Sequence, residues 1–97
     1  MSVDKEQLNQ IYRQIHNVLL DEWDPDHIKQ IPAARTEYDA FVESIYSLLE
    51  AHASEEQIYE ALKLIALQDL GIPKSSELDI ATKNTAAKLK KLVLTNL

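Results

Sequence analysis

The chain has 97 residues, a length that fits one domain with a single hydrophobic core. It contains no cysteine, which excludes a disulfide framework and a cysteine-based zinc site. The net charge is −6 and is unevenly spread: residues 1–60 hold 13 acids and four bases, and residues 61–97 hold three acids and six bases. This balance disfavours nucleic acid as a partner and favours a basic protein.

The N-terminal residues include no apolar run of the kind that opens a secretory signal, and no stretch approaches the length of a membrane span. We therefore expect a cytoplasmic protein with no membrane partner. Only one glycine and three prolines occur, which favours long helices over a turn-rich β fold.

The first predicted helix covers roughly residues 4–22 and ends at Asp24-Pro25. Apolar side chains recur there at intervals of three and four residues, which is the stripe of a helix that buries one face. The stripe consists of Leu8, Ile11, Tyr12, Ile15, Val18, Leu19 and Trp23.

The segment from Asp21 to Asp39 is predicted to be a packed turn around which the rest of the chain is organised. Pro25 and Pro32 prevent one helix from running through it. Four large apolar residues, Trp23, Ile28, Ile31 and Tyr38, argue against a flexible linker, which would be polar. We expect one short helical turn near 25–29, started by Asp24 and Pro25, with the Trp23 ring pinning the segment onto the first and second helices.

Three further helices follow, over roughly 37–52, 55–70 and 77–94. Thr36-Glu37-Tyr38-Asp39 and Ser54-Glu55-Glu56-Gln57 have the pattern of helix N-termini, and Ser75 or Ser76 caps the last helix. The only glycine, Gly71, stands where a left-handed residue ends the third helix, with Pro73 after it. The predicted fold is therefore an all-α, single-domain bundle of four main helices over residues 1–97, with the short turn in the 24–35 connection.

The predicted core combines one stripe from each helix: Tyr12, Ile15, Leu19, Trp23, Phe41, Ile45, Leu49, Ile58, Leu62, Ile65 and Leu89. The third helix is apolar on more than one face, because Leu64, Leu67 and Leu70 lie away from its main stripe. Two explanations stay open at this point: the helix is sandwiched within the fold, or these leucines form a homodimer contact.

Several of these motifs together resemble a family of small, uncharacterised, all-helical bacterial proteins. The resemblance covers roughly residues 8–94 and rests on Leu20-Asp21-Glu22-Trp23-Asp24-Pro25, Pro32-Ala33-Ala34, Glu37-Tyr38-Asp39, Ser54-Glu55-Glu56-Gln57-Ile58 and Leu70-Gly71-Ile72. The family has Met-Gly-Leu at the last of these positions. The resemblance implies a helical fold and a bacterial source, and it implies no established activity.

The sequence offers no catalytic or metal-binding pattern, so we expect no enzyme, no metal and no cofactor. An EF-hand starting at Asp24 would need glycine at Lys29 and glutamate at Arg35. The three histidines are not paired at a metal-binding spacing, and the serines stand at helix caps with no base beside them.

The function that the sequence favours is a non-enzymatic protein–protein interaction module whose acidic turn contacts a basic partner. The candidate contact residues are Asp21, Glu22, Trp23, Asp24, Asp26, Glu37 and Asp39. A narrower alternative is an immunity-like or antitoxin-like inhibitor of a basic toxin. Two others stay open: a small enzyme whose carboxylates meet only in the folded chain, and acids that merely cap helices and keep the protein in solution.

Overall fold

The computed structural model describes residues 5–25, 31 and 38–96, with side chains as far as residue 92. Four helices follow in order: α1 (Lys5–Val18, continued by a π-helical turn, Leu19–Trp23), α2 (Asp39–Glu50), α3 (Glu55–Leu64, continued by a π-helical turn, Ile65–Asp69) and α4 (Ser76–Asn96). This part of the chain contains no strand, and the predicted four-helix, all-α fold is confirmed. The predicted helical turn near 25–29 and the Thr36 cap lie outside the described residues.

One hydrophobic core joins the four helices. In α1 and its π-helical turn, Ile11, Ile15 and Leu19 are buried at a spacing of four residues, which lines them up on one face. The other helices add Val42, Ile45, Tyr46, Leu49, Ile58, Leu62, Ile65, Ala66, Ala86 and Leu89. Two predicted core residues, Tyr12 and Phe41, are only half-buried, because they pack against the edge of this cluster and not within it.

Helices α1 and α3 each end in a π-helical turn, where the backbone hydrogen bond spans five residues. The amide of Asp24 donates to the Leu19 carbonyl at 2.8 Å, and the amide of Leu70 donates to the Ile65 carbonyl at 2.9 Å. A π-helical turn changes the angle at which its side chains leave the helix. Trp23 is the last residue of the first of these turns and is buried, as are Leu19 and Leu20 before it.

A tight reversal joins α2 to α3. Helix α2 begins and ends two residues inside the predicted 37–52. Its C-terminal end is set by His52, which adopts a left-handed conformation (φ 59°) that a continuing helix excludes. The amides of His52 and Ala53 donate to the carbonyls of Leu49 and Leu48 at 3.0 and 2.9 Å, which satisfies the last turn of α2.

The start of α3 is fixed by the predicted capping box. The Ser54 hydroxyl accepts from the Gln57 amide at 3.1 Å, and the Ser54 amide donates to the Gln57 side-chain oxygen at 2.8 Å. The end of α3 is also as expected, since Gly71 has the left-handed φ of 68°. Both ends of α3 are therefore set by local sequence.

Helix α4 presents small and hydroxylated side chains to the core. Thr82, Thr85 and Ala86 are at most 1% exposed. Each threonine hydroxyl donates to the carbonyl four residues earlier, Thr82 to Leu78 at 2.6 Å and Thr85 to Ala81 at 2.7 Å. These polar groups are therefore satisfied inside the bundle, and their small size lets α4 approach α3 and the end of α1.

Candidate functional site

Trp23, a predicted partner-contact residue, lies in the core with 4% of its surface exposed. Its indole Nε1 donates a hydrogen bond to the Thr82 hydroxyl at 3.1 Å, which ties the acidic turn to α4. Its ring lies 5.7 Å from the Tyr38 ring at an angle of 45°. Little of this side chain is left for a partner to touch, and most of it stabilises the packing of the turn.

Asp24 closes α1 and also bonds to Tyr38. Its backbone is left-handed (φ 36°), a conformation that aspartate tolerates better than most residues. Its carboxylate accepts a hydrogen bond from the Tyr38 hydroxyl at 2.9 Å, and Tyr38 itself is fully buried. Asp24 therefore satisfies a buried hydroxyl that would otherwise be costly.

Two further acids of the predicted patch contact basic side chains on other helices. Glu22 lies 2.8 Å from the ammonium of Lys88 on α4. Asp39, at the start of α2, lies 2.6 Å from His16 Nδ1 on α1. Asp21 is exposed, and Asp26 and Glu37 lie outside the described residues.

The structure therefore directs Glu22, Asp24 and Asp39 to three different partners and does not gather them around one ligand position. Within the described part of the chain, no group of three or more histidine, aspartate or glutamate residues is arranged to hold a metal ion. Each of these three acids joins one element of the fold to another, and Asp21 and Asp39 are the exposed members of the described group.

A second site, which the sequence did not reveal, is a cleft between α3 and the start of α4. We call it the α3–α4 cleft, and its volume is about 400 Å³. It is lined by Tyr59, Lys63, Leu67, Lys74, Ser75, Ser76, Leu78, Asp79 and Thr82. That volume lies within the range of small-molecule sites, roughly 300–1,000 Å³.

One wall of the α3–α4 cleft is a hydrogen-bonded cluster of charged and aromatic groups. The Tyr59 hydroxyl donates a short hydrogen bond to Asp79, and Asp79 also lies 3.2 Å from the ammonium of Lys83. The ammonium groups of Lys63 and Lys83 each lie 5.8 Å from the centre of the Tyr59 ring. This distance allows a cation–π contact.

The hydrogen bonds of this cluster move two pKa values away from neutrality. Donation from Tyr59 and from Lys83 lowers the pKa of Asp79 below its usual 3.8. The bond to Asp79, with partial burial, raises the pKa of Tyr59 above its usual 10. A general acid or base works best with a pKa near the operating pH, so this cluster is poorly suited to proton transfer at pH 7.

A third concavity, of about 360 Å³, adjoins the hydrogen bond between His16 and Asp39. Its other lining residues are Tyr12, Arg13 and Val42. An imidazole held by a carboxylate is one half of a nucleophilic site, but no serine, threonine or cysteine is among the described residues that line this concavity. The pair instead joins the end of α1 to the beginning of α2.

The three leucines of the predicted homodimer contact differ in their surroundings. Leu64 is 52% exposed, Leu67 lines the α3–α4 cleft, and Leu70 packs against the core. Both earlier explanations for α3 therefore keep some support: most of its apolar residues are sandwiched in the fold, and Leu64 alone is a large exposed one. No described helix is both long and apolar enough to cross a membrane.

The α3–α4 cleft was only partly visible in the sequence. Tyr59 and Lys63, and likewise Asp79 and Lys83, are four residues apart and lie on one helical face. What the spacing did not reveal is that the two faces meet, because this depends on how α3 folds back on α4. The same limit hid the hydrogen bond between Trp23 and Thr82, which are 59 residues apart.

Comparison with known proteins gave no match, whether to family models, to curated proteins or to solved structures. The resemblance to small helical bacterial proteins therefore stays a prediction.

Proposed function

We propose that this protein is a non-enzymatic interaction module that binds a basic protein through the acidic side of its α1–α2 half. The observation that carries the proposal is the surface of α2. This helix has three acids, Asp39, Glu43 and Glu50, all of them exposed, and no basic residue. Asp21, at the end of α1, is a further exposed acid in this half.

Carboxylates on an exposed surface attract a basic partner over a distance of about one Debye length, roughly 8–10 Å at moderate salt. Their main effect is on the rate of association and on the choice of partner, with less effect on final affinity. The acids of the turn that are used internally, Glu22 and Asp24, contribute to this field while they stabilise the fold. Their structural role is therefore compatible with a role in attraction.

The narrower form of the proposal is an inhibitor of the immunity or antitoxin type, which would cover a basic surface of a toxin. Its support is the same charge distribution. The competing proposal of an enzyme has less support, since the two titratable groups joined by a hydrogen bond at the α3–α4 cleft, Tyr59 and Asp79, have pKa values shifted away from neutrality.

The test is to reverse two exposed acids of this half and to leave Asp24 in place. The double variant Asp21→Lys with Glu43→Lys changes two exposed acids and spares Asp24, which holds Tyr38. The matched control, Glu56→Lys with Glu60→Lys, makes the same change of net charge on the exposed side of α3. Circular dichroism establishes that both variants keep the helical fold.

A partner captured from the host by the wild-type chain is identified and purified, and its affinity for each variant is then measured. We expect the Asp21/Glu43 variant to lose about tenfold or more, the control to lose little, and wild-type binding to weaken as salt rises. Equal losses in both variants would mean that only net charge matters. Unchanged binding would leave these acids without a role in recognition.

The homodimer through Leu64, Leu67 and Leu70 is a separate proposal, supported by the exposure of Leu64. Sedimentation of the wild type and of Leu64→Lys over a range of concentrations tests it. A dimer that dissociates in the variant supports it, and a monomer at every concentration in the wild type contradicts it.

A further inference from the structure

The α3–α4 cleft combines an apolar surface with two lysines that form no ion pair among the described residues. The apolar part is made by the side chains of Leu67 and Leu78 and by the ring of Tyr59, with the buried Thr82 at the base. Such a surface favours an aliphatic group over water, by about 25 cal/mol for each Å² buried. An inorganic ion, which has no apolar surface, gains nothing from it.

The positive charges are those of Lys63 and Lys74. Among the described residues, neither lysine has a carboxylate within ion-pair distance, whereas Lys83 is paired with Asp79 and Lys88 with Glu22. Both lysines line the cleft, and they do so in a chain whose net charge is −6.

Among the described residues that line the cleft, Asp79 is the one carboxylate, and neighbouring groups balance its negative charge. Asp79 accepts a hydrogen bond from Tyr59 and forms an ion pair with Lys83, and these contacts keep it ionised. Its charge is balanced by Lys83, with a smaller electrostatic contribution from Lys63. Among the described residues, Lys63, Lys74 and Lys83 outnumber this one carboxylate, so the charge that remains at the cleft is positive. The Ser75 hydroxyl oxygen accepts a hydrogen bond from the Leu78 amide at 3.0 Å.

We propose that the α3–α4 cleft binds a small aliphatic carboxylate, with the tail against Leu67 and Leu78 and the carboxylate between Lys63 and Lys74. The volume of about 400 Å³ lies within the range of small-molecule sites. Lysine ammonium groups are compact point charges, which suit a single carboxylate without demanding the two-pronged geometry of arginine. This binding site is independent of the acidic surface of α2.

The experiment is a titration of the full chain with sodium octanoate, followed by amide chemical shifts in NMR spectra. We expect saturable shifts concentrated on the residues that line the cleft. Lys63→Gln and Lys74→Gln should each weaken binding by about tenfold, since each removes a charge-assisted contact at a partly exposed site. Lys5→Gln removes an exposed lysine of α1 that lies outside the cleft, and it should bind octanoate as the wild type does.

Three further probes test whether octanoate binding needs both the negative charge and the aliphatic tail. Sodium acetate and inorganic phosphate carry a negative charge without the tail, and octyltrimethylammonium carries the tail with the opposite charge. All three should bind at least about tenfold more weakly than octanoate. The proposal fails if any of them binds as tightly, if octanoate shifts spread over the whole surface, or if the Lys63 and Lys74 variants bind octanoate like the Lys5 variant.

Discussion

Two of the hydrogen bonds from a tyrosine hydroxyl to a carboxylate lie in different surroundings. Tyr38 donates to Asp24 in the turn, and Tyr59 donates to Asp79 at the α3–α4 cleft. Tyr38 is fully buried and packs against Trp23, whereas Tyr59 is half-buried and has two lysine ammonium groups over its ring. Burial therefore decides what each pair does: the first holds helices together, and the second remains in reach of solvent and ligands.

The two carboxylates, Asp24 and Asp79, therefore also differ in what their removal would cost. A carboxylate that satisfies a buried hydroxyl cannot be removed without leaving that hydroxyl unpaired, which costs about 1–3 kcal/mol. A carboxylate at a solvated rim can be replaced by water at little cost. The buried pair should therefore govern stability, and the exposed pair should govern the electrostatics of the cleft.

The largest effect is expected from Trp23→Ala, which breaks the buried region. The variant removes a side chain that is 4% exposed and leaves a cavity between the turn and α4. The free energy of unfolding should fall by about 3–5 kcal/mol in a urea titration followed by circular dichroism. The control Trp23→Phe keeps an aromatic ring and loses the bond to Thr82, so it should lose only about 1–2 kcal/mol. A loss below about 1 kcal/mol for the alanine variant would contradict the buried position of the ring.

The next effect compares the two tyrosines directly. Tyr38→Phe removes the donor to Asp24 and should lower the free energy of unfolding by about 1.5–3 kcal/mol, as for a hydrogen bond to a charged group. Tyr59→Phe removes the same hydroxyl at the cleft and should cost clearly less, because water replaces the donor. Urea titrations of both variants at one pH test this, and equal losses would erase the contrast between the two regions.

A smaller effect is expected at the ion pair between Glu22 and Lys88, which joins the acidic turn to α4 at the surface. The single variants Glu22→Gln and Lys88→Gln and the double variant make a thermodynamic cycle. The coupling free energy should be about 0.2–1 kcal/mol and should shrink as salt is added. A coupling above about 2 kcal/mol would assign this surface pair a role comparable to that of the buried one.

The smallest effect concerns the pH dependence of the exposed pair. Because the pKa of Asp79 is lowered in the folded chain, its contribution to stability is present above pH 3.8 and is lost as the pH falls further. The raised pKa of Tyr59 gives a contribution that is present below pH 10 and is lost as the pH rises through its folded value. As the pH falls from about 5 to about 3, the free energy of unfolding should therefore decrease less in the Tyr59→Phe variant than in the wild type. An equal shift of the urea midpoint in the two proteins across that range would contradict a role of Tyr59 in lowering the pKa of Asp79.

Most of the fold was predictable because its signals are local. The capping box of Ser54 and the left-handed Gly71 each depend on a few neighbouring residues, and both were placed correctly from the sequence. The left-handed His52 was missed because positive φ is uncommon in any residue other than glycine, even though histidine is enriched among the exceptions. The C-terminal end of α2 was therefore predicted two residues too late.

The candidate sites were less predictable, because they depend on which helix faces meet. The acids of the turn were identified, but their partners on other elements, Lys88, Tyr38 and His16, were not. The α3–α4 cleft was missed for the same reason: its residues come from two helices whose closest approach is set by the small buried face of α4.

The bond from the Trp23 indole to Thr82 also has a spectroscopic consequence. Trp23 is the only tryptophan of the chain, and the hydroxyl that it contacts belongs to a residue at the base of the α3–α4 cleft. The tryptophan fluorescence of the protein therefore comes from one indole in an apolar environment, one side chain away from the proposed ligand. Any event that moves α4 away from the turn should quench or red-shift that emission, so the unmodified chain carries its own optical reporter of how α4 is docked.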